Sequence, residues 1–197
     1  IHNFNISVGV DATFMKAVES DSDYPLVNPH NNEITGHLNA REVFSKIVYG
    51  AWRNGEPGMI FLDNVNKDNH VTSEYGEMIA TNPCGEQPLL GNESCNLGSI
   101  NLANFVNSKE VRPYILWDEL RNTIKTATRF LDNVIDANYY ATPDIEKMTK
   151  ATRKIGLGIM GFADMLTQLR VSYNSKEGRK IGNDIMRFVR THSDETS

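Results

Sequence analysis

The chain has 197 residues, of which 40% are hydrophobic and 23% are charged, so we expect one core within a single domain or one large piece of a bigger domain. Its formal net charge of -5, with Lys and Arg scattered among acids, excludes the cationic face that a nucleic-acid polymer would require. No run approaches the roughly 18 apolar residues of a membrane span and no secretory leader is present, so we expect a cytoplasmic protein that does not bind membranes.

The N-terminal half alternates strand and helix patterns, as is typical of α/β architecture. Asp11 is placed to cap a first helix, and Asn39 with Glu42 three residues later begins a second one, which Gly55 ends. The predicted elements are a strand at 4–10, a helix to about residue 18, a loop at 20–36, a helix from residue 39 to residue 55 and a buried strand at 58–63.

The C-terminal part, from residue 115 onward, has mainly helical patterns. Thr142 as cap and Pro143 at the first helical position predict the start of one of its helices. The predicted elements are helices at 115–138 and from residue 143, a short strand or loop at IGLGIMG, and helices at 162–169 and 175–190.

The GLGIMG segment satisfies a dinucleotide fingerprint through Gly156, Gly158 and Gly161. A fingerprint needs a buried strand directly before it, whereas the preceding EKMTKATRKI is cationic and helical in pattern. A tight structural turn is therefore the interpretation that the context favours. A dinucleotide-binding module is the alternative function.

Both cysteines of the chain, Cys84 and Cys95, lie in the segment TNPCGEQPLLGNESCNLGSINL at 81–102. One pair of cysteines without suitably placed histidines is a poor zinc site, so no metal site is predicted. In a reducing compartment a structural disulfide is disfavoured as well. Reactive chemistry is the favoured interpretation.

The motif Asn82-Pro83-Cys84-Gly85-Glu86 places a cysteine in a constrained loop, because proline restricts the backbone before it and glycine permits a turn after it. If the loop is extended, residues two apart point the same way, which sets an amide, a thiol and a carboxylate on one side. An amide can hold a hydroxyl and a carboxylate can take its proton. The alternative is a structural loop in which the cysteines simply pack.

TNPCGEQPLL followed by ESCNLGSINLANFV resembles the catalytic finger loop of ribonucleotide reductases, most closely that of the adenosylcobalamin-dependent class II enzymes. NFNISVGV, NAREVFSKIVYGAWRNGEPGMIFLDNVN, RFLDNVID and TRKIGLGIMGFADML are similar to consecutive parts of the same family. The resemblance implies an α/β fold, a ten-stranded barrel with the radical cysteine on a central finger loop. Residues 1–197 would form a single internal fragment of that barrel, with the finger loop at about 81–97 and a helical part at about 115–197.

The resemblance also implies a role for four residues. Cys84 corresponds to the cysteine that becomes a thiyl radical and abstracts the 3′ hydrogen of the ribose. Glu86 corresponds to the base that takes the 3′ hydroxyl proton, and Asn82 to the amide that binds a substrate hydroxyl. Cys95 corresponds to one member of the redox pair that supplies electrons and ends as a disulfide.

The implied cofactor is adenosylcobalamin, because NPCGEQPLL resembles the corresponding sequence of class II enzymes. A class I enzyme would instead take its radical from a separate metal-containing subunit. The implied partners are a ribonucleotide substrate, a thioredoxin-like reductant and, at full length, a second copy in a homodimer. The redox partner of Cys95 and the phosphate-binding segment have no counterpart here, so we expect the isolated chain to be inactive. A catalytically idle structural piece is the third alternative.

Overall fold

A computed structural model describes residues 4–197 of the chain, without the side chains of residues 72 and 73. The chain divides into two compact units, which meet in sequence at Gly91 and Asn92. The elements of the first unit are β1 (Ser7–Val10), α1 (Ala12–Ser20), β2 (Asp23–Val27), β3 (Ile34–Asn39), α2 (Ala40–Asn54), β4 (Gly58–Phe61), α3 (Leu62–Asn66), α4 (Thr72–Tyr75), β5 (Ala80–Thr81) and β6 (Pro88–Leu89).

The capping signals in the first unit have the expected geometry. The Asp11 side chain accepts a hydrogen bond of 2.7 Å from the backbone N–H of Phe14, and the Asn39 side chain accepts one of 3.0 Å from Glu42. These contacts satisfy donors that the first helical turn leaves unpaired. The predicted starts of α1 and α2 are therefore confirmed.

Strand pairing in the first unit includes one parallel pair and two hairpins. β1 pairs with β4 in parallel, from Ser7 beside Gly58 to Val10 beside Phe61. β2 and β3 pair in an antiparallel manner, so the prediction of a loop over 20–36 was wrong for residues 23–27 and 34–36. The sequence did not predict β2 because it contains Pro25. Proline has no backbone N–H to donate to a neighbouring strand, so it occurs in strands only where that hydrogen bond is not needed.

The second unit contains a parallel pair of strands covered by helices. Its elements are β7 (Asn96–Asn101), a 3₁₀ turn (Leu102–Phe105), β8 (Val106–Asn107), β9 (Tyr114–Ile115), α5 (Trp117–Ala137), α6 (Pro143–Thr152), β10 (Ile155–Met160), α7 (Phe162–Gln168) and α8 (Lys176–Asp194). β7 and β10 run parallel, with α5 and α6 in the connection between them. This is the strand–helix–strand unit of α/β proteins.

The core of the second unit lies where α5 and α8 meet the 3₁₀ turn and β7. Its buried side chains are Ile100, Leu102, Phe105, Leu120, Ile124, Met165, Ile185 and Val189. The apolar stripe of α5 that the sequence predicted supplies Leu120 and Ile124, both fully buried. The helical part at about 115–197 thus packs against the strand that follows Cys95, through Ile100.

The strands of the described residues form sheets of two strands each, and they do not close into a barrel. The predicted mixed α/β class is confirmed, whereas the closed ten-stranded barrel is not seen in the described part of the chain. Within residues 4–197, no helix combines the length and the apolarity that crossing a bilayer requires.

The GLGIMG segment forms β10 itself, with Gly156 and Gly158 inside the strand. A Cβ atom added to Gly156 would collide with the side chain of Leu97 on β7, so this position serves the close approach of two strands. A dinucleotide fingerprint places its glycines in the turn that follows a strand. The fold therefore supports a structural role for this motif, but the predicted tight turn is wrong for Gly156 and Gly158 and holds only at Gly161.

Candidate active site

The Cys84 loop is the tip of a short β-hairpin in the first unit. β5 and β6 pair with Ala80 beside Leu89 and Thr81 beside Pro88. Asn82 closes the loop, because its backbone N–H donates to the carbonyl of Gln87 at 3.1 Å while its side-chain oxygen accepts from the N–H of Gln87 at 3.0 Å. The loop is consequently held at its base by one residue through two hydrogen bonds.

Cys84 lies at a central position of a tight turn. The N–H of Gly85 donates to the carbonyl of Asn82 at 3.0 Å, and Pro83 precedes Cys84 within that turn. Gly85 has a φ of 82°, a left-handed conformation that glycine adopts without strain. The backbone is therefore turned and not extended, so the expectation that Asn82, Cys84 and Glu86 point to one side does not hold for this loop.

The predicted site residues of this hairpin differ in exposure. Cys84 and Glu86 are exposed, whereas Asn82 is half-buried. The Nδ2 group of Asn82 has no hydrogen-bond partner within residues 4–197, so it can donate to a bound hydroxyl.

A cavity of about 640 Å³ lies beside the thiol of Cys84, within the first unit. Its wall is formed partly by the hairpin, through Cys84 and Gly85 among others, and partly by β4 and by Asn64 on α3. The volume falls in the range of about 300–1,000 Å³ that is usual for small-molecule sites. Asn82 and Glu86 do not line this cavity. Of the three predicted site residues in this hairpin, the structure thus brings Cys84, but neither Asn82 nor Glu86, to the cavity wall.

Two asparagines, which the sequence analysis did not identify, anchor the hairpin. Asn66 at the end of α3 donates to the carbonyl of Met78 at 2.9 Å and accepts from its N–H at 2.8 Å. Asn5 donates to the carbonyl of Pro83 at 3.2 Å. Both asparagines bind backbone groups of residues that lie at least 12 positions away in the sequence. Residue types and their spacing therefore do not predict these hydrogen bonds.

Cys95 belongs to the second unit, where it is half-buried directly before β7. The two residues before it are each held by a side chain from the α6–β10 region. Glu93 forms an ion pair with Lys154 at 2.8 Å, and the hydroxyl of Ser94 lies 2.8 Å from that of Thr149. These contacts join residues that are 55 and 61 positions apart, so no local sequence signal predicts them.

A second ionic cluster lies beside the start of β10. Arg153 donates to Asp132 at 2.8 Å and to Asp136 at 2.9 Å, both on α5. The hydrogen bond from Arg153 lowers the pKa of the Asp136 carboxyl below its ordinary value, and the two carboxylates raise the pKa of Arg153. Arg153 itself has a positive φ of 46°, so these ion pairs hold the chain reversal that leads from α6 into β10.

No cluster of histidine, cysteine and acidic side chains suited to a metal ion is found within the part of the chain that the structure describes. Four of the five histidines lie in that part, and His2 lies outside it.

Comparison with known proteins identifies the family. The model of the ribonucleotide reductase barrel domain matches residues 1–197. A vitamin B12-dependent ribonucleoside-diphosphate reductase of Thermoplasma acidophilum is 49% identical over 198 residues, which cover 100% of this chain and 25% of the relative. A protein of the same name from Mycobacterium tuberculosis is 44% identical over 187 residues, or 95% of this chain and 26% of the relative.

A third relative carries a different name. The ribonucleoside-diphosphate reductase subunit alpha of Chlamydia pneumoniae is 33% identical over 159 residues, which cover 77% of this chain and 14% of the relative. The chain spans about a quarter of the length of the two more similar relatives. Since the barrel-domain match extends over all 197 residues, the chain belongs to the ribonucleotide reductase family.

Proposed function

We propose that the chain is part of the catalytic barrel of a vitamin B12-dependent ribonucleotide reductase, in which it helps convert a ribonucleotide to a 2′-deoxyribonucleotide. The chain would act as part of a longer polypeptide and be inactive alone. Both compact units would belong to one barrel, and the segment at about 81–97 would be its finger loop. Two relatives are named ribonucleoside-diphosphate reductases, and we favour a diphosphate substrate on that basis.

One observation carries this proposal: an exposed cysteine thiol on the wall of a nucleotide-sized cavity, presented by a turn that is fixed at its base and at its tip. A thiol can shuttle a hydrogen atom to and from a ribose carbon because its S–H bond is comparable in strength to an activated C–H bond. Such a reaction requires the sulfur to be held in one place close to the substrate. The hairpin provides this fixed position for Cys84.

Each of the four predicted residues has a role in the proposed reaction. The thiyl radical of Cys84 takes the 3′ hydrogen of the ribose, and Glu86 takes the proton of the 3′ hydroxyl. The free amide group of Asn82 donates to a substrate hydroxyl. The 2′ hydroxyl leaves as water, and two thiols, one of them that of Cys95, supply two electrons and two protons as they form a disulfide.

Glu86 lies outside the cavity wall, so substrate binding would have to bring the hydroxyl and the carboxylate together. Hydrogen bonds of catalytic groups commonly tighten when the substrate is present. An exposed carboxylate two residues from the thiol, on a loop with glycine at its tip, is close enough in sequence for such an adjustment.

The chemistry that adenosylcobalamin supplies when bound is cleavage of its cobalt–carbon bond into radicals. This chain must then offer an accessible thiol, and the exposed sulfur of Cys84 meets that requirement. The described residues indicate no further group that would hold the corrin ring. Reduction by a thioredoxin-like protein, homodimer formation at full length and a cytoplasmic location are also parts of this proposal.

The test uses the longer polypeptide that carries these residues, purified and assayed for reduction of a ribonucleoside diphosphate with a dithiol. We expect formation of the deoxyribonucleotide only when adenosylcobalamin is added, and its complete loss in Cys84→Ser. Reduction that needs a separate metal-containing subunit would instead establish the class I alternative. No reduction under either condition would overturn the proposal and leave an idle structural role.

A further inference from the structure

In the ion pair between Glu93 and Lys154, the side chain of Glu93 is fully buried and that of Lys154 is largely buried. The side chain of Glu93 has an exposed fraction of 0% and that of Lys154 of 18%, with 2.8 Å between Oε2 and Nζ. Taking both charges out of water is costly, and an apolar pair of the same volume often stabilises a protein equally well. A buried pair of this kind is therefore better explained by the geometry that it fixes than by stability.

The geometry that the pair fixes is the start of β7. Asn96 and Ile155 are the first paired residues of β7 and β10, and Cys95 and Lys154 directly precede them. Lys154 forms its ion pair with Glu93, while Thr149 on α6 contacts Ser94. Cys95 thus follows two residues, one of which contacts the residue directly before β10 and the other of which contacts α6.

A slip of one residue in register would turn every side chain of a strand to its opposite face. For a thiol that must form a disulfide the restriction is severe, because the sulfur–sulfur bond has a narrow range of length and dihedral angle. Contacts that prevent movement of β7 along β10 would consequently decide whether the thiol of Cys95 points towards its partner.

We infer that the Glu93–Lys154 ion pair positions Cys95, by fixing where this residue enters β7 and hence the direction of its thiol for disulfide formation. The inference rests on the proposed function. In the step concerned, two thiols lose two protons and two electrons and form one disulfide, while the substrate gains the electrons and releases its hydroxyl as water. The second thiol is that of a cysteine not among these 197 residues, since Cys84 and Cys95 are their only cysteines.

The test compares Lys154→Met and Glu93→Gln in the longer polypeptide after prior reduction of its thiols. Two quantities are followed in time during a single turnover. One is the amount of deoxyribonucleotide formed, and the other is the fraction of Cys95 thiol that can still be alkylated, which falls as the disulfide forms. We expect each variant to slow both processes by at least about 10-fold, since a displacement of 1 Å can cost about 100-fold in rate. The double variant should be no slower than the slower single variant, because the two side chains act as a unit.

Two further readouts separate positioning from a general structural defect. The KM for the substrate and the electron paramagnetic resonance signal of the Cys84 radical should remain as in the wild type. Lys154→Arg, which keeps the charge, should recover much of the rate. Lys150→Met is the matched control, because Lys150 also forms an ion pair, with Glu146 at 2.6 Å, but on the surface of α6. It should leave the rate within about twofold.

Wild-type single-turnover rates in folded Lys154→Met and Glu93→Gln would overturn the inference while leaving the proposed function intact. If Lys154→Met does not fold, Glu93→Gln, which keeps the shape of the side chain, decides alone. Failure of both to fold would show that the pair serves stability and would also overturn the inference. Absence of product in the wild type would instead count against the proposed function.

Discussion

The side chain of Asn5 donates a hydrogen bond of 3.2 Å to the carbonyl of Pro83, the residue directly before Cys84. Asn5 lies 78 positions earlier in the chain, two residues before β1. The contact thus ties the tip of the hairpin to the segment that leads into the parallel strand pair. Together with Asn82 at the base of the loop, it gives the turn around Cys84 two points of attachment.

Replacing Asn5 with alanine should loosen the loop without unfolding the protein. A hydrogen bond of this kind contributes about 0.5–1.5 kcal/mol, which corresponds to a rate loss of up to about 10-fold if it is lost in the reacting geometry. We expect kcat of the longer polypeptide to fall several-fold with little change in KM. Asn31→Ala, at an exposed asparagine between β2 and β3, is the control. An unchanged kcat in Asn5→Ala would show that the contact has no part in positioning Cys84.

Glu86→Gln should abolish most of the activity because it removes the proposed base while keeping the shape of the side chain. General base catalysis contributes about 10²–10⁴-fold, so we expect a loss of kcat in that range. Glu77→Gln provides an exposed control outside the hairpin loop. A loss of less than about 10-fold in Glu86→Gln would assign the base to another residue.

Local chemistry explains why much of the fold was predictable. Asp11, Asn39 and Thr142 cap their helices as expected, because a cap depends on residues within three positions of one another. β2 was missed because its pattern is short and contains a proline. The pairing of β7 with β10 was also beyond prediction, since more than fifty residues separate these strands in sequence and nothing local specifies the partner.

The site was predictable to a similar extent. The position of Cys84 in a constrained loop followed from Pro83 and Gly85, which act locally. The contacts that hold the loop and the Cys95 segment did not follow, because Asn5, Asn66 and Lys154 bind groups that only the folded chain brings near them. The relative arrangement of Asn82 and Glu86 was inferred from an extended backbone, whereas the loop contains a turn.

The Asp136–Arg153 ion pair should make stability depend on pH in the acid range. The folded pKa of Asp136 is lowered by Arg153, so this group stabilises the fold above the unfolded pKa and loses that contribution as the pH falls through the folded value. Asp136→Asn should therefore be less stable than the wild type near neutral pH, and the two should converge in acid. Thermal unfolding of the longer polypeptide between pH 7 and pH 3 measures this, with the exposed Asp144→Asn as control. Parallel curves for Asp136→Asn and the wild type would contradict the linkage.

Gly161 provides a test of the structural interpretation of GLGIMG. Its φ is 69°, and an added Cβ would collide with the side chain of Asn101 and approach the backbone nitrogen of Ala103 to 3.2 Å. Alanine at this position would combine an unfavourable left-handed backbone with a collision, so we expect Gly161→Ala to lower the free energy of unfolding by about 1–3 kcal/mol. Gly36→Ala in β3, where the nearest atom lies 3.8 Å from the new Cβ, should change it by less than about 0.5 kcal/mol. If Gly161→Ala were instead as stable as the wild type but bound a dinucleotide more weakly, Gly161 would be needed for ligand binding. The alternative of a dinucleotide-binding module would then regain support. A loss of stability without such an effect would show that Gly161 is needed where β10 turns into α7.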